Sequence, residues 1–372
     1  MIRDMCRDFS REVIAPRAEE IERTGEHAYD IIAQMAELGM MGIPIEEEYG
    51  GSGGDWVGMH LCIEEVSRGD VTFGALLDVT TSVVAQELDV FGTEEQKKKW
   101  LIPIARGEKI GAFGLTEPDA GSDAGSVRTS ARAEAEGWVI NGSKQFITNI
   151  GLDNASLIVI AAVTKKAQKG RGRISTFIVP KDSPGFSLGK RYEKLGWHGA
   201  ATHEVIFDDC RIPRKNLLGD PAKGFAQHLA VLQTGRISVA AMSVGVAQAC
   251  LDESLRYARE RVQFGKPIGR FQAIQFKLAD LSVAIELARN QYLKAAWLKD
   301  QGRKHTFEAA TAKLFASEMA EKAASDAVQI HGGYGYMAEY PVSRYYKAAK
   351  VLQIVEGTSE VMRIVLSREL GL

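Results

Sequence analysis

The sequence predicts a mainly α-helical protein with a central β domain. Apolar residues recur every three or four positions over the first 109 residues and again from Gly224 onward, which indicates amphipathic helices. Between these regions, short β-prone runs alternate with turn residues. A chain of 372 residues is long enough for several packed units. We therefore expect an N-terminal helical domain over residues 1–110, a middle β domain over 111–215 and a C-terminal helical bundle over 222–372.

The N-terminal region is helical by pattern, as in Ile31, Ile32, Met35 and Leu38. A glycine-rich run at 50–54 interrupts it, but this run lacks the GxGxxG spacing of a dinucleotide loop and no strand precedes it. It is predicted to be a flexible turn between helices.

The middle region contains β-prone runs at 138–140, 145–148, 157–163, 175–179 and 204–207. Asn141-Gly142 is a strong hairpin signal, and the basic, glycine-rich stretch Lys165–Arg173 is predicted to be an exposed hairpin loop. Because no strand–helix–strand alternation occurs, an antiparallel, barrel-like domain is expected and a Rossmann fold is disfavoured.

Long periodic segments follow at 225–261, 271–298 and 307–330, with shorter ones at 342–351 and 361–370, and they predict a bundle. Arg236 lies inside the apolar stripe of the first of these helices. A buried arginine needs an anionic or carbonyl partner. The pattern alone leaves open whether this partner is an internal carboxylate or a ligand.

Composition excludes several classes of protein. A formal net charge of -2 provides no basic field for nucleic acid or an anionic membrane. The four cysteines are far apart in the sequence, with no CxxC pair and no metal-ligand spacing, so free thiols and no metal site are expected. The charged first ten residues do not resemble a signal peptide. We saw no apolar run of the length that a bilayer requires, and a cytoplasmic location is expected.

Glu356 is the candidate catalytic residue. An apolar run precedes it, Gly357 follows it, and Thr358-Ser359 opens a predicted helix. Desolvation would raise the pKa of this carboxyl and make it a usable general base, and the helix N-terminus would offer free N–H groups to an anion. The alternative is an ordinary loop glutamate before a helix cap.

Five segments, read together with the domain order, resemble the acyl-CoA dehydrogenase family over essentially the whole chain. They are residues 111–123 (GAFGLTEPDAGSD), 145–149 (QFITN), 261–267 (RVQFGKP), 329–333 (QIHGG) and 356–360 (EGTSE). The chain begins inside what would be the family's first helix. The resemblance implies the acyl-CoA dehydrogenase fold and bound FAD.

The resemblance also implies which residues bind FAD. One set would hold the flavin of its own subunit: Phe113, Leu115, Thr116, Gly121, Ser122, Phe146, Ile147, Thr148, Thr358, Ser359 and Glu360. A second set would contact the FAD of a neighbouring subunit, which implies an obligate homo-oligomer, usually a tetramer: Arg261, Phe264, Gln272, Gln329, Ile330, Gly332 and Gly333.

By the same resemblance, Glu356 is the base that takes the α-proton of an acyl-CoA thioester while the β-hydrogen leaves as hydride, giving a 2-enoyl-CoA. Ser122, Gln233, Arg236 and Gly357 would line the acyl-CoA site. Electrons would pass to an electron-transfer flavoprotein, as in fatty-acid β-oxidation.

Some branches of the family carry the base at the position of Gly235, which has no side chain here and therefore cannot compete with Glu356. Gly74 stands where glutaryl-CoA dehydrogenases carry an arginine, which disfavours a dicarboxylyl substrate. The bundle resembles the short-chain (butyryl-type) branch, so a short linear or branched acyl group is expected.

Asp78 is unusual in its apolar and hydroxylated stretch. We interpret it as a solvated or hydrogen-bonded helix residue. The alternative hypothesis makes it a second acid/base group for a cyclic or unsaturated acyl-CoA. Two further rivals are a flavin oxidase on the same fold and a non-enzymatic helical scaffold.

Overall fold

The computed structural model describes residues 1–165 and 172–372. Most of the predicted loop Lys165–Arg173 therefore lies outside the described residues. The N-terminal domain is helical, as predicted, with short 3-10 and π-helical turns between its helices. These helices are α1 (Ile2–Phe9), α2 (Ala18–Thr24), α3 (Tyr29–Glu37), α4 (Trp56–Gly69), α5 (Val71–Leu77), α6 (Gln86–Phe91), α7 (Glu94–Gln96) and α8 (Ile102–Ala105).

One stretch of this domain positions the site. The Asp70 carboxylate caps α5 by accepting from the backbone N–H of Thr72 at 2.8 Å. From α5 the chain continues without a break through a π-helical segment, Asp78–Ala85, into α6, which ends at Gly92. Nearly all of its residues are buried. We call residues 71–91 the pocket helix.

The glycine run at 50–54 forms a closely packed turn. The backbone N–H groups of Ser52 and Gly54 donate to carbonyls of Gly42 and Ile43 at 2.9 and 2.8 Å. A Cβ at Gly51 would lie 2.1 Å from the carbonyl oxygen of Ile45. The turn was correctly predicted, and its glycines are required by this close backbone approach.

The middle domain is an eight-stranded sheet with the order β6-β7-β3-β2-β4-β5-β8, and β1 pairs with β4. Its strands are β1 (Ile110–Gly114), β2 (Ser130–Ala133), β3 (Gly137–Thr148), β4 (Ala155–Lys165), β5 (Arg173–Pro180), β6 (Phe186–Arg191), β7 (Thr202–Pro213) and β8 (Leu217–Leu218). All five predicted β-prone runs lie within these strands.

The sheet differs from the prediction in two respects. It is mixed rather than purely antiparallel, because β1 runs parallel to β4, and β2 meets β4 in parallel at Ser130 and Val163. The predicted hairpin at Asn141-Gly142 is wrong. Both residues lie inside β3, where the pairing register with β7 shifts between Ile140 and Gly142. Gly142 has φ 144°, so its special backbone serves a bulge instead of a turn.

The C-terminal domain is the predicted bundle. Its helices are α9 (Gly224–Glu260), α10 (Gln272–Asp300), α11 (Thr306–His331), α12 (Pro341–Ala349) and α13 (Ser359–Glu369), and a small hairpin of β9 (Val262–Gln263) and β10 (Lys266–Pro267) follows α9. α9 is the central helix and packs against α4, α10 and α11. By length and apolarity it alone among the described helices could cross a membrane, but 78% of its apolar window is buried inside the protein. It is a core helix.

A single apolar core joins the N-terminal helices to the bundle, and the sheet has a core of its own around Ile140, Ile158 and Phe177. A buried polar contact reinforces the first junction. The Glu64 carboxylate on α4 accepts from the Arg289 guanidinium on α10 at 2.9 Å. The pocket helix packs directly on α9, beside the chain segment that carries Glu356.

Candidate active site

Glu356 lies in a short loop between a 3-10 turn, Lys350–Gln353, and α13. Its backbone is left-handed, with φ 56°, and Gly357 follows with φ 102°. Positive φ is uncommon for a residue with a side chain and often marks a functional position. The Thr358 hydroxyl caps α13 by accepting from the backbone N–H of Val361 at 3.3 Å. The cap and the two unusual φ values aim the Glu356 side chain away from α13 and onto α9.

The Glu356 carboxyl lies directly over Gly235 of α9. A Cβ at position 235 would lie 2.5 Å from Glu356 Oε2, so only glycine leaves room for the carboxyl. Oε2 is buried and has no hydrogen-bond partner within the described residues. Burial raises the pKa of Glu356 to about 7, against the lowering effect of the Arg236 and Lys313 charges. A carboxyl in such an environment can act as a general base near neutral pH.

Arg236 is buried, as its place in the apolar stripe predicted, with 7% of its surface exposed. Its Nε donates to the backbone carbonyl of Glu356 at 3.5 Å. Burial lowers the pKa of Arg236, and the Glu356 charge opposes this effect. Arg236 thus lies against the segment that carries the candidate base and supplies positive charge there.

Lys313 of α11 is a site residue that the sequence interpretation missed. Its side chain is fully buried, and its Nζ donates to the Gly357 carbonyl at 2.6 Å. Burial lowers its pKa to about 8, and the Glu356 charge opposes the effect. The signal was present in the sequence, because Lys313 falls in an alanine stripe with Ala309, Ala316 and Ala320 at helical spacing.

Asp78 is not solvated, and that part of its interpretation is wrong. Only 4% of its surface is exposed, and its side chain lies near Ser238 of α9. Burial and then the charge of Glu356 raise the pKa of Asp78 well above its usual range. The pocket helix therefore brings a second carboxyl to Glu356, because it is packed between the sheet and α9.

The first predicted flavin set comes together at the edge of the sheet. The backbone N–H of Gln145 donates to the carbonyl of Thr116 at 2.9 Å, which joins the loop after β1 to the end of β3. At this edge the Phe146 ring is 60% exposed on a left-handed backbone, with φ 60°. A Cβ at Gly121 would meet nothing within 4 Å. The surface fits a flat aromatic group such as a flavin. The other members from β1, the loop after it and β3 are Phe113, Leu115, Ser122, Ile147 and Thr148, of which Ile147 is buried in the core of the sheet. Thr358, Ser359 and Glu360 lie instead at the start of α13.

A buried ion pair holds this loop. Lys144 Nζ donates to Glu117 Oε1 at 2.7 Å and to the Leu115 carbonyl at 3.2 Å. The Glu117 carboxylate also accepts from the backbone N–H groups of Arg128 and Thr129 at 2.6 and 3.0 Å. Burial lowers the pKa of Lys144 to about 8, and the Glu117 charge opposes the effect. Glu117 was predicted only as part of the segment 111–123, and no role was predicted for Lys144.

Asn149 ties the same edge to the pocket helix. Its Nδ2 donates to Thr80 Oγ1 at 3.2 Å, and its own backbone has φ 71°. The buried Asn149 side chain thus fixes the candidate flavin surface to the pocket helix, which carries Asp78.

The second flavin set lies together at one end of the bundle. Arg261 ends α9, Gln272 begins α10, and Gln329 and Ile330 lie in the last turn of α11, before Gly332 and Gly333. Phe264, in the β9–β10 hairpin, is 92% exposed. This arrangement is consistent with contact to a ligand of another subunit.

Of the predicted substrate residues, Arg236 contacts the Glu356 carbonyl, Gly357 follows Glu356 in the chain, and Gln233 lies two positions before Gly235 on α9. Thr306 Oγ1 donates to Gln233 Oε1 at 3.0 Å. Ser122 lies in an exposed loop. That loop packs on the start of α9 through Leu115, Ala120 and Leu232, the neighbour of Gln233. Thr358, Ser359 and Glu360 begin α13, directly after the base.

Other chemistry has little support. In the part of the chain that the structure describes, no group of three or more His, Cys, Asp or Glu residues could hold a metal ion. All four cysteines are buried free thiols, as predicted. The chemistry available at the site is proton abstraction by a desolvated carboxylate beside two buried cations.

The chain is similar to known proteins along its whole length. Three family models match: "Acyl-CoA dehydrogenase, N-terminal domain" over residues 1–108, "middle domain" over 112–210 and "C-terminal domain" over 222–371. A "Probable acyl-CoA dehydrogenase YngJ" of Bacillus subtilis is 52% identical over 100% of this chain and 97% of that relative.

Two solved structures are also similar. One is butyryl-CoA dehydrogenase from Megasphaera elsdenii, with a TM-score of 0.96 and 42% identity. The other is a chain in a structure described as "Electron transferring flavoprotein of Acidaminococcus fermentans: Towards a mechanism of flavin-based electron bifurcation", with a TM-score of 0.96 and 45% identity. Each match covers 100% of this chain and 97% of the other. With three family models that together match nearly the whole chain and a relative that is 52% identical over its full length, the protein belongs to the acyl-CoA dehydrogenase family, whose members are FAD-dependent oxidoreductases acting on CH–CH bonds.

Proposed function

We propose that this protein dehydrogenates the α,β carbon–carbon bond of a short-chain acyl-CoA thioester, with Glu356 as the base. The observation that carries the proposal is the Glu356 carboxyl, which is desolvated, has a pKa of about 7 and presents an unpartnered oxygen over Gly235. A base with such a pKa is substantially ionised at neutral pH and yet strong enough to take a proton.

Bound FAD would supply the acceptor for the hydride that leaves the β-carbon. Phe113, Leu115, Thr116 and residues 121–122, 146–148 and 358–360 would hold it. The Thr148 hydroxyl is the donor expected near the position where the hydride arrives. Donors placed where negative charge develops lower the barrier.

The remaining side chains prepare the proton transfer. The Arg236 and Lys313 charges keep the pKa of Glu356 from rising further, so that the carboxylate form is populated. Lys313 also fixes the Gly357 carbonyl. The backbone N–H groups that follow Glu356 would stabilise the enolate oxygen that forms as the α-proton leaves.

A short, uncharged acyl tail fits the pocket helix. A Cβ at Gly74 would lie 1.9 Å from Ser67 Oγ and 3.0 Å from Met242 Cγ, so the position cannot hold the arginine of a glutaryl-CoA site. The likeness to the Megasphaera elsdenii butyryl-CoA dehydrogenase supports a four-carbon acyl group. Linear and branched short acyl chains are both compatible with the pocket helix.

We further propose that electrons leave to an electron-transfer flavoprotein, supported by the likeness to the Acidaminococcus fermentans structure, and that the enzyme works in β-oxidation in the cytoplasm. A homotetramer is proposed as well. Phe276, Val283 and Leu287 share one face of α10 and are 58–61% exposed, an apolar patch that subunit contacts would cover. The second flavin set lies at the same end of the bundle as the start of this helix.

Anaerobic titration of the FAD-loaded protein with butyryl-CoA, followed by the flavin absorbance, tests the proposal. Bleaching is expected in the parent and in Glu136→Gln, a control at an exposed turn, and not in Glu356→Gln. Bleaching that survives in Glu356→Gln would refute the role of the base. Rapid oxygen consumption without a protein acceptor would favour a flavin oxidase instead.

A further inference from the structure

The carboxyls of Asp78 and Glu356 pack against the same part of α9. Asp78, the first residue of the π-helical part of the pocket helix, lies near Ser238. The Glu356 carboxyl lies over Gly235. Positions 235 and 238 are neighbours on a helix surface, with about 5–6 Å between their Cβ positions. When the α-carbon of a substrate lies at Glu356, the next part of its acyl chain therefore passes close to Asp78.

Three oxygens at this place have no hydrogen-bond partner among the described residues. They are Asp78 Oδ1, Glu356 Oε2 and the hydroxyl of Ser82, about one helical turn after Asp78, and all three are buried. Other hydroxyls of the same segment are satisfied, because Thr80 Oγ1 accepts from Asn149 and Thr81 Oγ1 donates to the Met41 carbonyl at 2.8 Å. Buried polar atoms are nearly always paired in native proteins. The unpaired set points to a ligand that brings its own hydrogen-bonding groups.

The protonation states decide what Asp78 can do. Two neighbouring carboxyls in a dry site do not both ionise. When Glu356 is ionised to act as the base, its charge adds to burial and raises the pKa of Asp78 well above its usual range. In that state Asp78 is the protonated member of the pair and a hydrogen-bond donor. A second base, which would have to be ionised beside Glu356, is disfavoured by the same reasoning.

We propose that Asp78 and Ser82 form a subsite for a hydroxyl group on the acyl chain, so that the preferred substrates are short acyl-CoA thioesters hydroxylated at the γ- or δ-carbon. This proposal rests on the proposed function, because the position of the α-carbon at Glu356 sets the distance to the subsite. The Asp78 acid donates to the substrate oxygen, and the Ser82 hydroxyl accepts from the substrate O–H. An unsubstituted chain leaves these protein groups unpaired, which is how a site rejects an analogue that lacks a polar group.

The test compares butyryl-CoA with 4-hydroxybutyryl-CoA, which have the same chain length, by anaerobic stopped-flow reduction of the FAD-loaded enzyme. The parent is expected to prefer the hydroxylated thioester in kcat/KM by about 10- to 100-fold. Asp78→Leu is expected to abolish this preference, and Asp78→Asn, which keeps a donor, to retain most of it. Ser82→Ala is expected to reduce it and serves if Asp78→Leu fails to fold. Thr81→Val, whose hydroxyl is bound to Met41, is the matched control and should keep the parent ratio.

Binding gives a second readout that does not depend on turnover. The parent should bind 4-hydroxycrotonyl-CoA more tightly than crotonyl-CoA, and Asp78→Leu should bind the two alike. If the parent shows equal kcat/KM values and equal affinities for the hydroxylated and unsubstituted thioesters, the subsite is overturned. The proposed function would still stand in that case, provided that butyryl-CoA bleaches the flavin. A preference that survives in both Asp78→Leu and Ser82→Ala would also overturn it. Failure of both thioesters to reduce the flavin would overturn the proposed function and the subsite together.

Discussion

Replacing Glu356 by glutamine should make the protein more stable at alkaline pH while removing its activity. The carboxyl is desolvated, so the folded protein holds its proton up to about pH 7, whereas an ordinary glutamic acid has a pKa of 4.5. Between these two values the folded protein binds more protons than the unfolded chain. Its stability therefore falls as the pH rises through this window, and the cost is complete above about pH 7. Glutamine has no charge to desolvate and escapes the cost.

The size of the effect follows from the two pKa values. Each pH unit between them is worth about 1.4 kcal/mol, so the variant should gain on the order of 3 kcal/mol at pH 8 and nothing at pH 4.5. Unfolding entropy is about 2 cal/mol/K per residue, so for 372 residues the gain corresponds to about 4 °C in Tm.

Thermal unfolding midpoints from pH 4.5 to 8.5, at fixed protein and FAD concentrations, measure this difference. Fixed concentrations matter because bound cofactor and subunit contacts both shift Tm. The Tm of Glu356→Gln should coincide with that of the parent at the acid end and rise above it as the pH increases. Glu136→Gln should show no such divergence. A constant difference across the range, or a variant less stable at pH 8, would refute the desolvation of Glu356.

Three further variants test the surroundings of the base. Gly235→Ala places a Cβ 2.5 Å from Glu356 Oε2, so kcat/KM should fall at least about 10-fold in a folded, FAD-binding protein; normal activity would contradict the close contact. Arg236→Gln removes a charge that lowers the pKa of Glu356, so the acid limb of the kcat/KM–pH profile should move to higher pH. An acid limb that stays in place or moves to lower pH would contradict this effect of Arg236. Lys144→Met leaves Glu117 buried without its cation and should destabilise the protein by about 3–5 kcal/mol, with weaker FAD retention. Denaturant unfolding checks this loss, and a change below about 1 kcal/mol would be evidence against the ion pair's role.

The helices were predictable because their signal is local. The apolar repeats at 225–261 and 307–330 give the bounds of α9 and α11 to within one or two residues, since these helices bury continuous stripes over seven or more turns. Asn141-Gly142 failed because a local turn preference competed with long-range pairing. β3 pairs with β2 on one side and β7 on the other, and that pairing keeps the strand going through a bulge.

The site was predictable only in part for the same reason. Glu356 could be found from the sequence by family resemblance, and Arg236 could be found as a charge within an apolar stripe. The proximity of Asp78 and Lys313 to Glu356 could not, because they lie 278 and 43 positions before it in the chain. Their burial depends on how the pocket helix and α11 pack around α9.

The pH dependence of flavin reduction by butyryl-CoA tests the central claim most directly. With Glu356 as a desolvated base, the second-order rate constant for reduction should fall tenfold per pH unit below about pH 7, the pKa of this carboxyl in the free enzyme. Above that pH the rate constant should level off, and Glu356→Gln should show no reduction at any pH. A parent rate constant that stays level down to pH 5 would contradict the account, because it would mean that the proton is taken by a group with an ordinary carboxylate pKa or by none.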